Sequence, residues 1–235
     1  ANVNGVQFEE RDPAILGGMF AVWNDHPDNG ITVRDIHHRI MEALPAMAAK
    51  NWAGDNVTVP FERFDSLRRN LAEAPGVNYL ARHKAGADGM VLSRGAVAPG
   101  TVLPIAEVGY PYRVEFDLEA DDEKPGTALF HTPEATFWLS DPISGRMGFS
   151  REGELRTFRF NTVKGEKSHI VVEGDHEGTR LWVNGRLVDN LSRRRVSYNG
   201  SDRKMAIVST LVFPLAETGS FNSRITNLQV RQKAE

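Results

Sequence analysis

The hydrophobic period of this chain changes near residue 78, and that change constrains its fold more than any other feature. Beyond it, apolar and polar residues alternate in short runs, the pattern of strands with one face in a core. Such runs cover 112–118, 127–131, 136–139, 146–150, 155–160, 169–173, 179–183, 204–213 and 223–230, separated by Gly, Pro, Asp and Asn. So many short strands with no helix between them predict a β-sandwich of the jelly-roll kind over 78–235. The sharpest unit is Arg180-Leu181-Trp182-Val183-Asn184-Gly185-Arg186-Leu187-Val188. Its Asn-Gly pair supplies the two positive φ angles of a tight hairpin turn.

Ahead of the alternating region the period is helical. Thr32 and Asp35 approximate a capping box, and Ile36, Ile40, Leu44, Met47 and Ala48 follow near helical spacing, which predicts a helix over 33–51. Pro45 inside it should kink or split it, because proline removes a hydrogen bond and crowds the preceding turn. A second helix carries Phe61, Phe64, Leu67 and Leu71 on one stripe and ends at Glu73-Ala74-Pro75-Gly76. Upstream of both, Gly17-Gly18 precede the unbroken apolar run Met19-Phe20-Ala21-Val22-Trp23, which reads as a strand buried on both faces. Asn24, Asp25 and His26 then follow. In a barrel of alternating strands and helices, polar residues at that end of a strand line the active site. The same residues also describe a core strand ending in a solvated turn, with Trp23 as packing.

Composition narrows the partners. The 235 residues carry 28 basic and 31 acidic side chains, a net charge of −3, so no global field recruits nucleic acid or an anionic membrane. No cysteine is present, which excludes disulfides, thiolate metal sites and cysteine nucleophiles. No apolar run approaches the roughly 18 residues of a membrane span, and the residues from Ala1 onward show no signal pattern.

Asp12-Pro13-Ala14-Ile15-Leu16-Gly17-Gly18 running into Phe20-Ala21-Val22-Trp23-Asn24-Asp25 resembles the last barrel strand of glycoside hydrolase family 20, the β-N-acetylhexosaminidases. That resemblance implies that Trp23 forms a wall of a sugar pocket and Asp25 binds hydroxyls on the far side of the ring, with His26 as a further substrate contact. It also implies substrate-assisted hydrolysis of terminal β-linked GlcNAc or GalNAc. The adjacent Asp and Glu that such chemistry needs belong to another strand. Asp122-Glu123, in an acidic loop of the alternating region, do not take those roles, so this chain alone should be inert. The expected fold class is therefore an α+β fragment: the end of a (β/α)8 barrel over 1–56, a linker helix over 57–77, then an all-β jelly-roll sandwich over 78–235. The hairpin around Asn184-Gly185 resembles that of laminin-G-like and concanavalin-A-like sandwiches. Implied partners are an N-acetylhexosamine-containing glycan and the N-terminal remainder of the barrel, with no cofactor, in an extracellular, cell-surface or periplasmic setting. The alternative is a non-catalytic carbohydrate-binding or protein-interaction sandwich.

Four further constellations carry chemistry or packing. His37-His38 invite a metal, but neighbours on a helix point about 100° apart and cannot share one ion. Asp117, Glu119, Asp121 and Asp122 offer oxygens to calcium, or form an acidic hairpin loop. Arg193-Arg194-Arg195 with Arg203 and Lys204 suit an acidic or sulfated glycan, or a solvated turn. Trp138, Trp182, Phe137 and Tyr198 are sugar platforms or core residues, depending on the face each occupies.

Overall fold

Alternation along residues 112–119 sends Tyr112, Val114, Phe116 and Leu118 inward, all 2% exposed or less, and Arg113, Glu115, Asp117 and Glu119 outward. That strand is the middle of the fold. The structure, a computed structural model, describes residues 2–3, 6–7, 13, 16–19, 21–22, 33–54, 58–69, 75–151, 153–175, 178–191, 193–198, 201–206 and 212–232. In chain order these form β1 (Asn2–Val3), β2 (Val6–Gln7), α1 (Val33–Ala53), α2 (Phe61–Arg69), β3 (Met90–Val97), β4 (Glu107–Gly109), β5 (Tyr112–Glu119), β6 (Thr127–His131) and β7 (Ala135–Ser140). There follow β8 (Gly148–Arg151), β9 (Glu154–Thr157), β10 (Lys167–Asp175), β11 (Gly178–Val183), β12 (Arg186–Asn190), β13 (Arg193–Tyr198), β14 (Ser201–Ala206), β15 (Val212–Pro214), β16 (Glu217–Thr218) and β17 (Arg224–Gln232).

Two antiparallel sheets face each other. One has six strands in the order β12-β11-β10-β5-β17-β3, the other five in the order β16-β6-β7-β8-β9, and β15 pairs with β4 beside them. Between the sheets lie six fully buried phenylalanines, Phe116, Phe130, Phe137, Phe149, Phe158 and Phe213. Phe213 sits among them, with ring centroids 4.9 Å from Phe137, 5.5 Å from Phe149 and 5.9 Å from Phe130. Each such side chain contributes about 1.5–3 kcal/mol of burial free energy, and the edge and tilted geometries suit the ring quadrupoles. The Asn184-Gly185 turn has φ of 49° and 77°, as a two-residue hairpin demands, and joins β11 to β12.

The C-terminal strand is tied to the segment ahead of the sandwich. Buried Gln232 donates its amide to the carbonyls of Ala81 and Gly109 at 3.0 and 2.9 Å and accepts the N–H of His83 at 2.9 Å. All of that amide's polar atoms are thereby satisfied, which burial requires.

The barrel part of the expected fold class is corrected. The described residues form a jelly-roll-type β-sandwich preceded by two helices, and they contain no portion of a (β/α)8 barrel. The run expected as a doubly buried strand has no regular structure at 16–19 and 21–22, and Leu16 and Met19 are 100% and 94% exposed. Among the described strands none pairs with it. A five-residue apolar run becomes a core strand only where a sheet receives it, and among the described residues none does. α1 continues through Pro45 rather than splitting there, since the missing N–H affects a single turn. Its expected apolar stripe is shallow: Ile36, Ile40 and Met47 are half-buried, and Leu44 is exposed.

Candidate functional site

The solvent face of the six-stranded sheet is a ladder of charged side chains in register. Lys167, Glu119 and Arg224 lie side by side, then His169, Asp117 and Thr226, then Val171, Glu115 and Gln229, then Glu173, Arg113 and Arg231. Trp182 on β11 extends the third row and Arg180 the fourth. The physical cause is the period of two in β5, β10 and β17, whose other faces are committed to the core.

Mutual hydrogen bonds fix this lattice. Arg113 donates Nε and Nη2 to Glu115 Oε2 at 3.0 and 2.8 Å and Nη1 to Glu173 Oε1 at 2.7 Å. Arg231 donates to the other oxygen of Glu115 and to Gln229 Oε1. Burial pushes the Glu115 carboxyl up, but the bonds and charges of Arg113 and Arg231 outweigh it and hold it below the usual carboxylate range. Asp117 accepts the Asn227 amide at 2.7 Å and His169 Nδ1 at 2.8 Å, which likewise hold it ionised. Asn227 reaches Asp117 because β17 bulges between Thr226 and Gln229, with Asn227 at φ 55°.

Binding capacity is left at one end of the ladder. His169 gives Nδ1–H to Asp117, and its Nε2 lies 3.9 Å from Glu115 Oε2, beyond hydrogen-bond reach. Arg224 is exposed and makes no ion pair among the described residues, whereas Lys167 reaches Glu119 at 3.4 Å. An open groove of about 360 Å³ runs between them, lined by Asp117, Glu119, Lys167, His169, Arg224 and Thr226. Fixed acceptors and forked donors around a shallow groove can exchange water for the hydroxyls of a polyol.

The residues singled out from sequence fall in several places. Trp23, Asp25 and His26 lie outside the described residues, so the structure brings them to no site. Phe137 is a core residue, while Trp138 and Trp182 are half-buried on opposite outer faces. The backbones of Arg193-Arg194-Arg195 and Tyr198 lie in β13, which pairs with β14, and their side chains are outside the description. Asp117, Glu119 and Asp121 do not converge on a cation: the first serves His169 and Asn227, the second Lys167, the third Lys164 at 3.2 Å. Among the described residues no cluster of His, Asp and Glu is arranged to hold a metal. His37 packs its ring 4.1 Å from that of Tyr79. Glu123 accepts the N–H groups of Asn222 and Ser223 and the Ser223 hydroxyl, at 2.8, 2.6 and 2.6 Å, which is a structural role. Sequence reasoning missed Arg113, Glu115, His169 and Arg224. The signal was the unbroken charge at every outward position of 113–119.

The sequence matches no protein-family model, and no curated protein matches it. Solved structures show distant likeness. Domain 4 of an extracellular GH43 arabinanase from Geobacillus stearothermophilus, solved with arabinotriose, is 16% identical with a TM-score of 0.38, over 54% of this chain and 62% of that one. A galectin from Caenorhabditis elegans is 10% identical with a TM-score of 0.36, over 60% of this chain and 96% of that one. Trypanosoma rangeli sialidase is 11% identical with a TM-score of 0.35, over 64% of this chain and 32% of its own length. At these values the likenesses carry no argument about the site.

Proposed function

We propose that this chain is a non-catalytic carbohydrate-binding module that holds a glycan on the solvent face of its six-stranded sheet. The observation that carries the reading is the groove at Asp117, His169 and Arg224, where Asp117 and His169 are held in place and Arg224 makes no ion pair among the described residues. A sugar presents hydroxyls that donate and accept at once, and Asp117 and His169, already held by each other, lose little entropy on meeting them. Asp117 and Glu115 are both held ionised. A general acid needs the opposite shift, so this face suits binding rather than hydrolysis.

A narrower second reading rests on Trp23-Asn24-Asp25 in the sequence: these residues and His26 contact an N-acetylhexosamine as part of a larger β-N-acetylhexosaminidase whose catalytic Asp and Glu lie elsewhere. The proposed setting is extracellular, cell-surface or periplasmic, where such glycans are met.

The test is retention of the 235-residue protein on an array of immobilised glycans, beside an assay on aryl N-acetylhexosaminides. Retention without turnover is expected, with Arg224→Ala and His169→Ala each weakening it roughly tenfold, the loss of one charge-assisted hydrogen bond. Turnover by the pure chain, or retention that neither change affects, would sink the proposal.

A further inference from the structure

We infer that the opposite, five-stranded sheet carries a second sugar subsite, built on Trp138 and taking a neutral pyranose. Trp138 is half-buried on the outer face of β7, and its Nε1–H donates to Ser150 Oγ on β8 at 2.8 Å, so the ring is pinned against the sheet. Directly opposite it in register stand Ala128 on β6 and Gly148 on β8. Neither side chain extends past a methyl group, although Thr157 of β9 packs closely over Gly148. A fixed, half-exposed indole presents the apolar surface that the C–H face of a pyranose covers.

Toward the β6–β7 turn lies a groove of about 410 Å³, lined by Thr132, Glu134, Thr136 and Ser150; Trp138 does not itself line it, and Ser150 is the residue the two share. Thr136 and Ser150 face each other in register, so the hydroxyl that anchors the indole also borders the groove. Thr132 closes the β6–β7 turn by accepting the N–H groups of Ala135 and Glu134 at 3.0 and 3.3 Å, which fixes the position of Glu134. The Glu134 carboxylate is exposed, and neither it nor the Thr136 hydroxyl has a partner among the described residues. Carboxylate and hydroxyls thus border one volume of ligand size, and Ser150 joins it to the indole. The carboxylate at its mouth selects against uronic and sulfated sugars, which is why the ligand is neutral.

The observations are independent of the six-stranded face, and so is the test. Calorimetric titration with cellotriose and chitotriose, and with an anionic trigalacturonate, gives the number of sites per chain. Two neutral ligands per chain are expected, and none of the anionic one at the Trp138 site. Trp138→Ala, with its fold checked by circular dichroism, should leave one site, and Trp138→Phe should keep both. The surface double change Glu134→Ala with Thr136→Val should weaken the same site roughly tenfold without touching the core. A single site that Arg224→Ala abolishes and the Trp138 and Glu134 changes leave intact overturns this inference alone. A single site with the reverse pattern overturns the six-stranded reading and supports this one, and no binding by any of the sugars overturns both.

Discussion

Asp141 shows what one buried carboxylate does for the sandwich. It is fully buried and accepts the N–H groups of Ile143, Ser144 and Arg146 at 2.7, 2.8 and 2.8 Å, together with the Ser144 hydroxyl. Burial pushes its carboxyl up, yet the Ser144 hydroxyl and the backbone donors prevail and leave it below the usual carboxylate range. A group whose pKa is lower in the folded than in the unfolded state stabilises the fold fully above the unfolded value. That stabilisation is lost as pH falls through the folded one. Asp141→Ala should therefore cost about 1–3 kcal/mol at neutral pH, from three orphaned N–H groups, and should flatten the acid side of the stability curve. Urea midpoints of both proteins between neutral pH and about pH 2 check this. Parallel curves would show that the carboxylate does not carry the acid sensitivity.

At the scale of elements, the strands depend on close backbone approaches. A Cβ on Gly109 would lie 1.8 Å from the Leu80 carbonyl oxygen, whose neighbour Ala81 accepts the Gly109 N–H at 2.9 Å. Gly109→Ala should thus push β4 from the 80–81 segment and lower the thermal midpoint by several degrees, as roughly 1–3 kcal/mol of overpacking does. An unchanged midpoint in a calorimetric scan would contradict that contact. Much of this level was legible in sequence. The period of two gave β5, β6, β7, β11 and β17 nearly to the residue, and Asn184-Gly185 gave its hairpin. β3 was not legible, because Met90–Val97 is an edge strand with Ser93 to Ala96 exposed and no clean alternation. The run at 19–23 misled for a related reason: unbroken apolarity indicates burial only if a partner surface exists, and periodicity does not report partners. The site was half legible. Outward charge on 113–119 is written in the sequence, whereas the meeting of Asp117 with His169 and Asn227 depends on pairings 52 and 110 residues apart and on a bulge.

At the scale of the whole molecule, the two sheets spend one face each on a shared aromatic core, which leaves two outer faces free to be polar. On the six-stranded side that freedom becomes a rigid lattice of paired charges with unused valence at its edge. The bonds of His169 and Asn227 to one carboxylate also tie β10 and β17 to β5. The glycan binding proposed above would use that order. The most direct test is a ¹H–¹⁵N NMR titration of the protein with a glycan retained on the array. Saturable shifts clustered at Asp117, Glu119, Lys167, His169, Arg224 and Thr226 are the predicted result, whatever occurs at Trp138. Shifts that leave β5, β10 and β17 unmoved while the glycan binds elsewhere would contradict the account.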